Sequence, residues 1–224
     1  GSLRAEMIKK DGTVMGYDAY RTVGSRGESL YEDRRSEFLG CAVPVSSEEE
    51  ATEFIKSVKK QHPAARHNVW AYILRSGAER YSDDGEPQGS AGMPMLEVLR
   101  KSGVCDVAVV VTRYFGGILL GTGGLLRAYS AAAKQALDDA GVIRMVPLSL
   151  VRIVCGYSDH RRISAELSRF DAATVGTEFG AEVAISVSVA AEKTDALIAR
   201  VTEMTAGRVI PTREGMTYGR DDAS

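Results

Sequence analysis

The stretch Val104–Arg127, VCDVAVVVTRYFGGILLGTGGLLR, decides how the rest of the chain is read. Its first nine residues, Val104–Thr112, are nearly all apolar, the composition of a strand covered on both faces. Five glycines fall within Arg113–Gly124, and from Gly124 a long helix is expected. Leu125, Leu126, Tyr129, Ala132, Ala133, Ala136 and Leu137 make its buried side, and Gly141 stands past its end. A doubly covered strand feeding such a helix calls for further strands beside it, which makes an α+β domain.

Working outward, short alternating segments around Gly16–Arg21, Glu28–Tyr31 and Ser36–Val45 predict a β-meander. Ser47 and Glu50 have capping-box spacing, and Ala51, Phe54, Ile55 and Val58 follow at helical intervals, so a helix is expected over Glu48–His62. Asn68–Leu74 is rich in β formers and predicts a central strand. The polar stretch Arg80–Gly92 predicts turns, and Pro94 opens a helix closed by Gly103. After Pro147 the order becomes strand (Pro147–Gly156), helix (Asp159–Phe170), strand (Ala172–Phe179), strand (Ala181–Ala190), helix (Thr194–Ala206) and strand (Arg208–Thr212). That βαββαβ order predicts a ferredoxin-like domain. The expected organisation is therefore a first domain over 3–146, a second over 147–213 and a flexible tail over 214–224. The leading Gly1-Ser2 has the character of a tag-cleavage scar and is set aside.

Composition narrows the function classes. The chain has 224 residues, 44% hydrophobic and 26% charged, and a net charge of −2, all ordinary for a globular protein. Residues 1–146 carry 19 basic and 19 acidic side chains and residues 147–224 carry 9 and 11, so neither part has the overall basic excess of a typical nucleic-acid binder. Any such contact must come from a local patch; Lys56, Lys59 and Lys60 on one helix and Arg161, Arg162 and Arg169 on another are clusters of the kind usually found on solvated faces. Cys41, Cys105 and Cys155 lie far apart in apolar runs, which argues against a disulfide framework or a structural zinc site and favours a reducing cytoplasm. No membrane span is expected.

Two loops concentrate the chemistry. In Arg113–Arg127, the glycines let backbone N–H groups converge at a helix start, and two arginines flank them. Arg113, Tyr114, Gly116, Gly117, Gly121, Gly123, Gly124 and Arg127 are thus candidates for binding an anion or a nucleic-acid phosphate. A glycine-rich turn serving strand-to-helix packing, with both arginines in structural ion pairs, stands beside that reading. The loop is neither a Walker A sequence nor a GxGxxG. The other loop, Tyr81–Gly92, places Asp83, Asp84, Glu86 and Ser90 downstream of His67, a set from which an acid/base pair could be drawn. The same residues are ordinary turn formers, and no metal site or cofactor is called for.

SDDGEPQGSAGMP (82–94) followed by VVTRYFGGILLGTGGLLRAYSAAA (110–133) resembles the signature region of the IMPACT family in its bacterial YigZ-like branch. The resemblance implies a first domain similar to the fourth domain of elongation factor G and a small ferredoxin-like second domain. It maps the signature onto His67, Asp83, Asp84, Gly85, Glu86, Pro87, Gly89, Ser90, Gly92 and Pro94, and onto Arg113–Gly117, Gly121, Gly124, Leu125, Arg127, Ala128 and Tyr129. Eukaryotic relatives are linked to control of translation initiation through a starvation-sensing kinase pathway. The expectation is therefore a cytoplasmic regulator that binds RNA, the ribosome or a translation-associated protein. Its contact would be the Arg113–Arg127 loop, with the C-terminal sheet as a second surface. The alternatives are an enzyme acting on a phosphorylated small molecule in the same cleft and a protein-binding module. The oligomeric state is left open.

Overall fold

A computed structural model describes residues 18–221; Gly1-Ser2, the expected strand start at Gly16 and Tyr17, and residues 222–224 lie outside it. The chain divides into two compact units, one spanning Tyr20–Arg144 and one carrying the chain from Met145 onward.

In the first unit the strands β2 (Gly27–Asp33), β3 (Ser36–Pro44), β4 (His67–Ile73), β5 (Glu79–Ser82) and β6 (Val107–Tyr114) form one antiparallel sheet in the order β2-β3-β6-β4-β5. β6 lies at the centre and is buried in all but its last residue, which explains the apolar run Val107–Val111. Val107, Val109 and Val111 face α2 (Gly92–Ser102) and α3 (Gly121–Ala140). Ala108 and Val110 face α1 (Glu48–Gln61) on the opposite side.

The local signals act with one change of partner. Ser47 caps α1 by accepting from the Glu50 N–H, but the Glu50 carboxylate binds the Ser46 N–H and hydroxyl rather than closing the box on Ser47. Gly103 ends α2 in the left-handed conformation, where glycine carries no Cβ penalty. α3 begins three residues earlier than the apolar stripe suggests, at Gly121.

Three expectations change. The first strand, β1 (Tyr20–Val23), pairs with β7 (Val142–Cys155) rather than with β2, so no three-stranded meander forms. Part of the polar Arg80–Gly92 stretch is the edge strand β5, held by pairing of Glu79–Ser82 with Trp70–Ile73. Residues 214–220 are not a loose tail. They belong to β10 (Thr212–Arg220), which pairs with Met145–Arg152 and replaces the strand expected at Arg208–Thr212.

The second unit orders its strands β10-β7-β9-β8, with β8 at Ala173–Phe179 and β9 at Val183–Ala190. All of these pairs are antiparallel, which is the split βαβ arrangement. α4 (Tyr157–Leu167) and α5 (Thr194–Met204) supply Ile163, Leu167, Leu197 and Val201 to a core with Val151, Ile153, Ile185 and Val187. On the other sheet face stand Ala184, Ser186 and Ser188, and Arg152 is held by Glu178 and Glu214. Among the described residues, β7, β8, β9 and β10 place none of the stacking aromatics of RNA-reading sheets on this face, so the second nucleic-acid surface expected there finds no support in those side chains.

Candidate functional site

Register brings the two loops of the first unit together. Phe38, Arg113 and His67 lie side by side on β3, β6 and β4, at the end of the sheet face that carries α2 and α3. The loop after β5 folds over this row and inserts Glu86, whose side chain is 3% exposed. Glu86 Oε1 accepts from Arg113 Nη1 at 2.7 Å and from the Tyr129 hydroxyl of α3 at 2.7 Å.

Arg113 is therefore buried, and its expected role as an anion contact gives way to an internal ion pair. The cause is steric as well as electrostatic: its guanidinium lies 5.5 Å from the Phe38 ring centroid and 5.7 Å from that of Phe115, roofed by both. Its Nε atom is buried with no hydrogen-bond partner among the described residues. Burial, followed by the bond to Glu86, raises the Tyr129 hydroxyl far above the usual tyrosine range.

The acid/base set is likewise absorbed into structure. Asp83 accepts the N–H groups of Gly89, Ala91 and Gly92 and so caps α2 from nine residues upstream. Asp84 takes Lys59 Nζ at 2.7 Å and the Asn68 N–H at 2.7 Å. Ser90 donates to the Pro87 carbonyl. His67 Nδ1 lies 2.9 Å from the Asp84 carbonyl oxygen, and its Nε2 is 4.0 Å from Glu86 Oε2, beyond direct hydrogen bonding. Tyr114, turned to the opposite sheet face, meets His62 Nδ1 through its hydroxyl.

What remains open is the turn into α3. Among the described residues no side chain caps this helix, and its first turn holds no acid. Each glycine has its own reason. A Cβ on Gly116 would stand 2.0 Å from the Arg35 backbone carbon, and Gly117 and Gly121 have φ of +86° and +71°. A Cβ on Gly124 would crowd Leu120 at 3.0 Å. Gly123 alone of the five has neither a positive φ nor any atom within 4 Å of a built Cβ. The fold does not require glycine there.

Around this turn stand exposed groups, of which the sequence singled out Arg127 and Phe115 but not Arg34, Arg35, Ile118 or Leu119. The two-residue turn between β2 and β3 is Arg34-Arg35, both exposed and both at positive φ, as a type I′ hairpin requires. Arg34 Nη1 donates to the Leu119 carbonyl, and the Gly116 N–H bonds Ser36 Oγ, so the hairpin tip is docked against the glycine loop. Arg127 is exposed one turn beyond Gly123 and has no ion pair among the described residues. Phe115, Ile118 and Leu119 project beside them, at 55%, 44% and 81% exposure. The signal for Arg34-Arg35 was present in the sequence as two charged residues between alternating segments, but only tertiary docking makes it part of this site.

Residues 34–137 match the model of the Impact N-terminal domain, and residues 153–208 match a domain of unknown function, DUF1949. IMPACT family member YvyE of Bacillus subtilis is 37% identical over 202 residues, covering 89% of this chain and 93% of that protein. The chain belongs to the IMPACT family. Within it, IMPACT family member YigZ of Escherichia coli is 36% identical over 180 residues, covering 79% of this chain and 88% of its own. Protein IMPACT of Xenopus laevis is 36% identical over 102 residues, 42% of this chain and 32% of that one. A crystal structure of a hypothetical protein superimposes with a TM-score of 0.58 at 33% identity, covering 86% of this chain and 96% of that one. Among the described residues, no helix of this IMPACT protein is long and apolar enough to cross a membrane.

The buried hydroxyls give this IMPACT domain an alkaline signature. Tyr72, which is 4% exposed, is pushed up to about 12, by burial first and by its bond to Glu48 second. Unfolded tyrosines ionise near pH ~10, whereas Tyr72 and Tyr129 keep their protons when folded. Their contribution is thus complete below about pH 10 and is lost as pH rises toward the folded values, by about 1.4 kcal/mol per pH unit for each. Urea midpoints measured between pH 9 and 12 should fall more steeply for the parent chain than for Tyr72→Phe or Tyr129→Phe. Parallel slopes would contradict this assignment.

Proposed function

We propose that this IMPACT protein is a cytoplasmic, non-enzymatic regulator that binds RNA of the translation apparatus through the turn into α3. One observation carries the reading: exposed Arg34, Arg35 and Arg127 and the exposed ring of Phe115 accompany an uncapped helix start that is free of acids. Guanidinium groups and converging amides suit phosphates, and a solvent-facing aromatic ring suits a stacked base. The open space beside Gly123 lets a phosphate approach the first-turn N–H groups closely. The translation setting comes from the family resemblance.

The test is titration of the full chain with a single-stranded RNA oligonucleotide across a salt series. Three phosphate contacts predict that log Kobs falls with log[salt] at a slope of about −2, and Arg127→Ala should reduce that slope by roughly 0.7. Gly123→Ala is the sharper variant. It should stabilise α3 by about 0.5–1 kcal/mol while weakening RNA binding, because the methyl group fills the approach to the amides. Salt-insensitive binding, or full affinity in Gly123→Ala and Arg127→Ala, would overturn the RNA reading. Retained binding to a protein through Phe115, Ile118 and Leu119 would favour the protein-binding alternative.

A further inference from the structure

A pocket of about 550 Å³ lies within the first unit, toward the other end of α3 from the glycine turn. Its walls follow from helical spacing. α2 contributes Val98, Lys101 and Ser102, and α3 contributes Lys134, Leu137 and Asp138, each set at i, i+3 and i+4 and therefore on one helix face. Arg21 of β1 and Val142 of β7 complete the lining.

The lining is sorted by chemistry. Leu137 is fully buried and Val98 and Val142 are half-buried, an apolar floor. Arg21, Lys101 and Lys134 are exposed. Lys134 is occupied by Asp138, with Nζ to Oδ2 at 2.6 Å. Arg21 and Lys101 have no ion pair among the described residues. Three cations against one carboxylate leave a formal charge of 3 − 1 = +2 around a floor made of hydrocarbon. A solvated lysine face would explain the charges but not their convergence with Arg21, from another element, over an apolar depression.

We infer that this pocket binds a small organic anion with an apolar body, the body on Val98, Leu137 and Val142 and the anionic head between Arg21 and Lys101. The volume suits a small-molecule ligand, since such sites commonly occupy ~300–1,000 Å³. The site shares no residue with the glycine turn and stands or falls independently of RNA binding.

The probe is 8-anilinonaphthalene-1-sulfonate, followed by fluorescence with the full chain, against uncharged N-phenyl-1-naphthylamine as control. One saturable site per chain is expected for the sulfonate. The Arg21→Ala/Lys101→Ala variant should bind the sulfonate about fivefold more weakly, the loss of two exposed charge contacts, and the uncharged probe as before. Both side chains are exposed, so near-UV circular dichroism and the urea midpoint should stay at parental values, which separates lost binding from lost fold. Absence of saturable binding, or equal sulfonate affinity in parent and variant, would overturn the inference.

Discussion

Glu86→Ala should destabilise the first unit by about 3–5 kcal/mol, because it removes the carboxylate and leaves a buried guanidinium without a counter-charge. The Arg113 side chain is 8% exposed and its Nε already lacks a partner, so no donor of this arginine would keep a carboxylate at hydrogen-bonding distance. Tyr129 would lose its acceptor at the same time. Replacing both charges, as in Glu86→Leu/Arg113→Met, should return most of the stability, since a buried pair exchanged for apolar groups of similar volume is often near neutral. Urea unfolding of the two variants and the parent decides it. A loss below about 1 kcal/mol in Glu86→Ala would mean that water reaches Arg113 and that the pair is not the keystone of this sheet end.

Gly116→Ala should be the most damaging of the loop glycine substitutions. Its Cβ would meet Arg35 C at 2.0 Å, Arg35 O at 2.2 Å and Ser36 N at 2.3 Å, and all three are backbone atoms that cannot rotate aside. The hairpin tip and the glycine loop must separate, at a cost of about 1–3 kcal/mol by analogy with overpacked cores. Separation also breaks the Gly116 N–H bond to Ser36 and the Arg34 bond to Leu119, so RNA affinity should fall with stability. The contrast with Gly123→Ala is diagnostic. The same added methyl group lowers stability at one position and raises it at the other, while both weaken binding. If Gly116→Ala keeps the parental urea midpoint, the docking of the hairpin on the loop is not a tight contact.

Most element positions were legible because hydrophobic period and terminal residues act locally. Ser47 caps α1 and Gly103 ends α2 as their types demand, and the alternation Val183, Ile185, Val187, Val189 places one face of β9 on the core. The misses share a cause. β1 overlaps an expected strand but its pattern does not name a partner, and β10 carries no strong pattern of its own; each is placed by the unpaired backbone groups that β7 offers. In β10, Gly219 is pressed against Leu148, whose Cδ1 would lie 2.4 Å from a Cβ, so a residue that weakens strand propensity here serves the pairing.

The candidate site divides in the same way. That the glycine-rich segment lies between a buried strand and a helix start follows from its letters and their neighbours, as does the family. Which arginine faces solvent does not. Arg113 and Arg127 are equivalent as text, but one falls on the covered face of a central strand beneath Phe38 and Phe115, and the other on the outside of a helix. Sequence determined the α+β class, the βαββαβ order and the position of the turn, because these depend on contacts between near neighbours in the chain. Tertiary structure alone assigned Glu86 to Arg113 and brought Arg34 and Arg35 to the loop, because those pairings join residues 27 and about 80 positions apart, and no local preference encodes them.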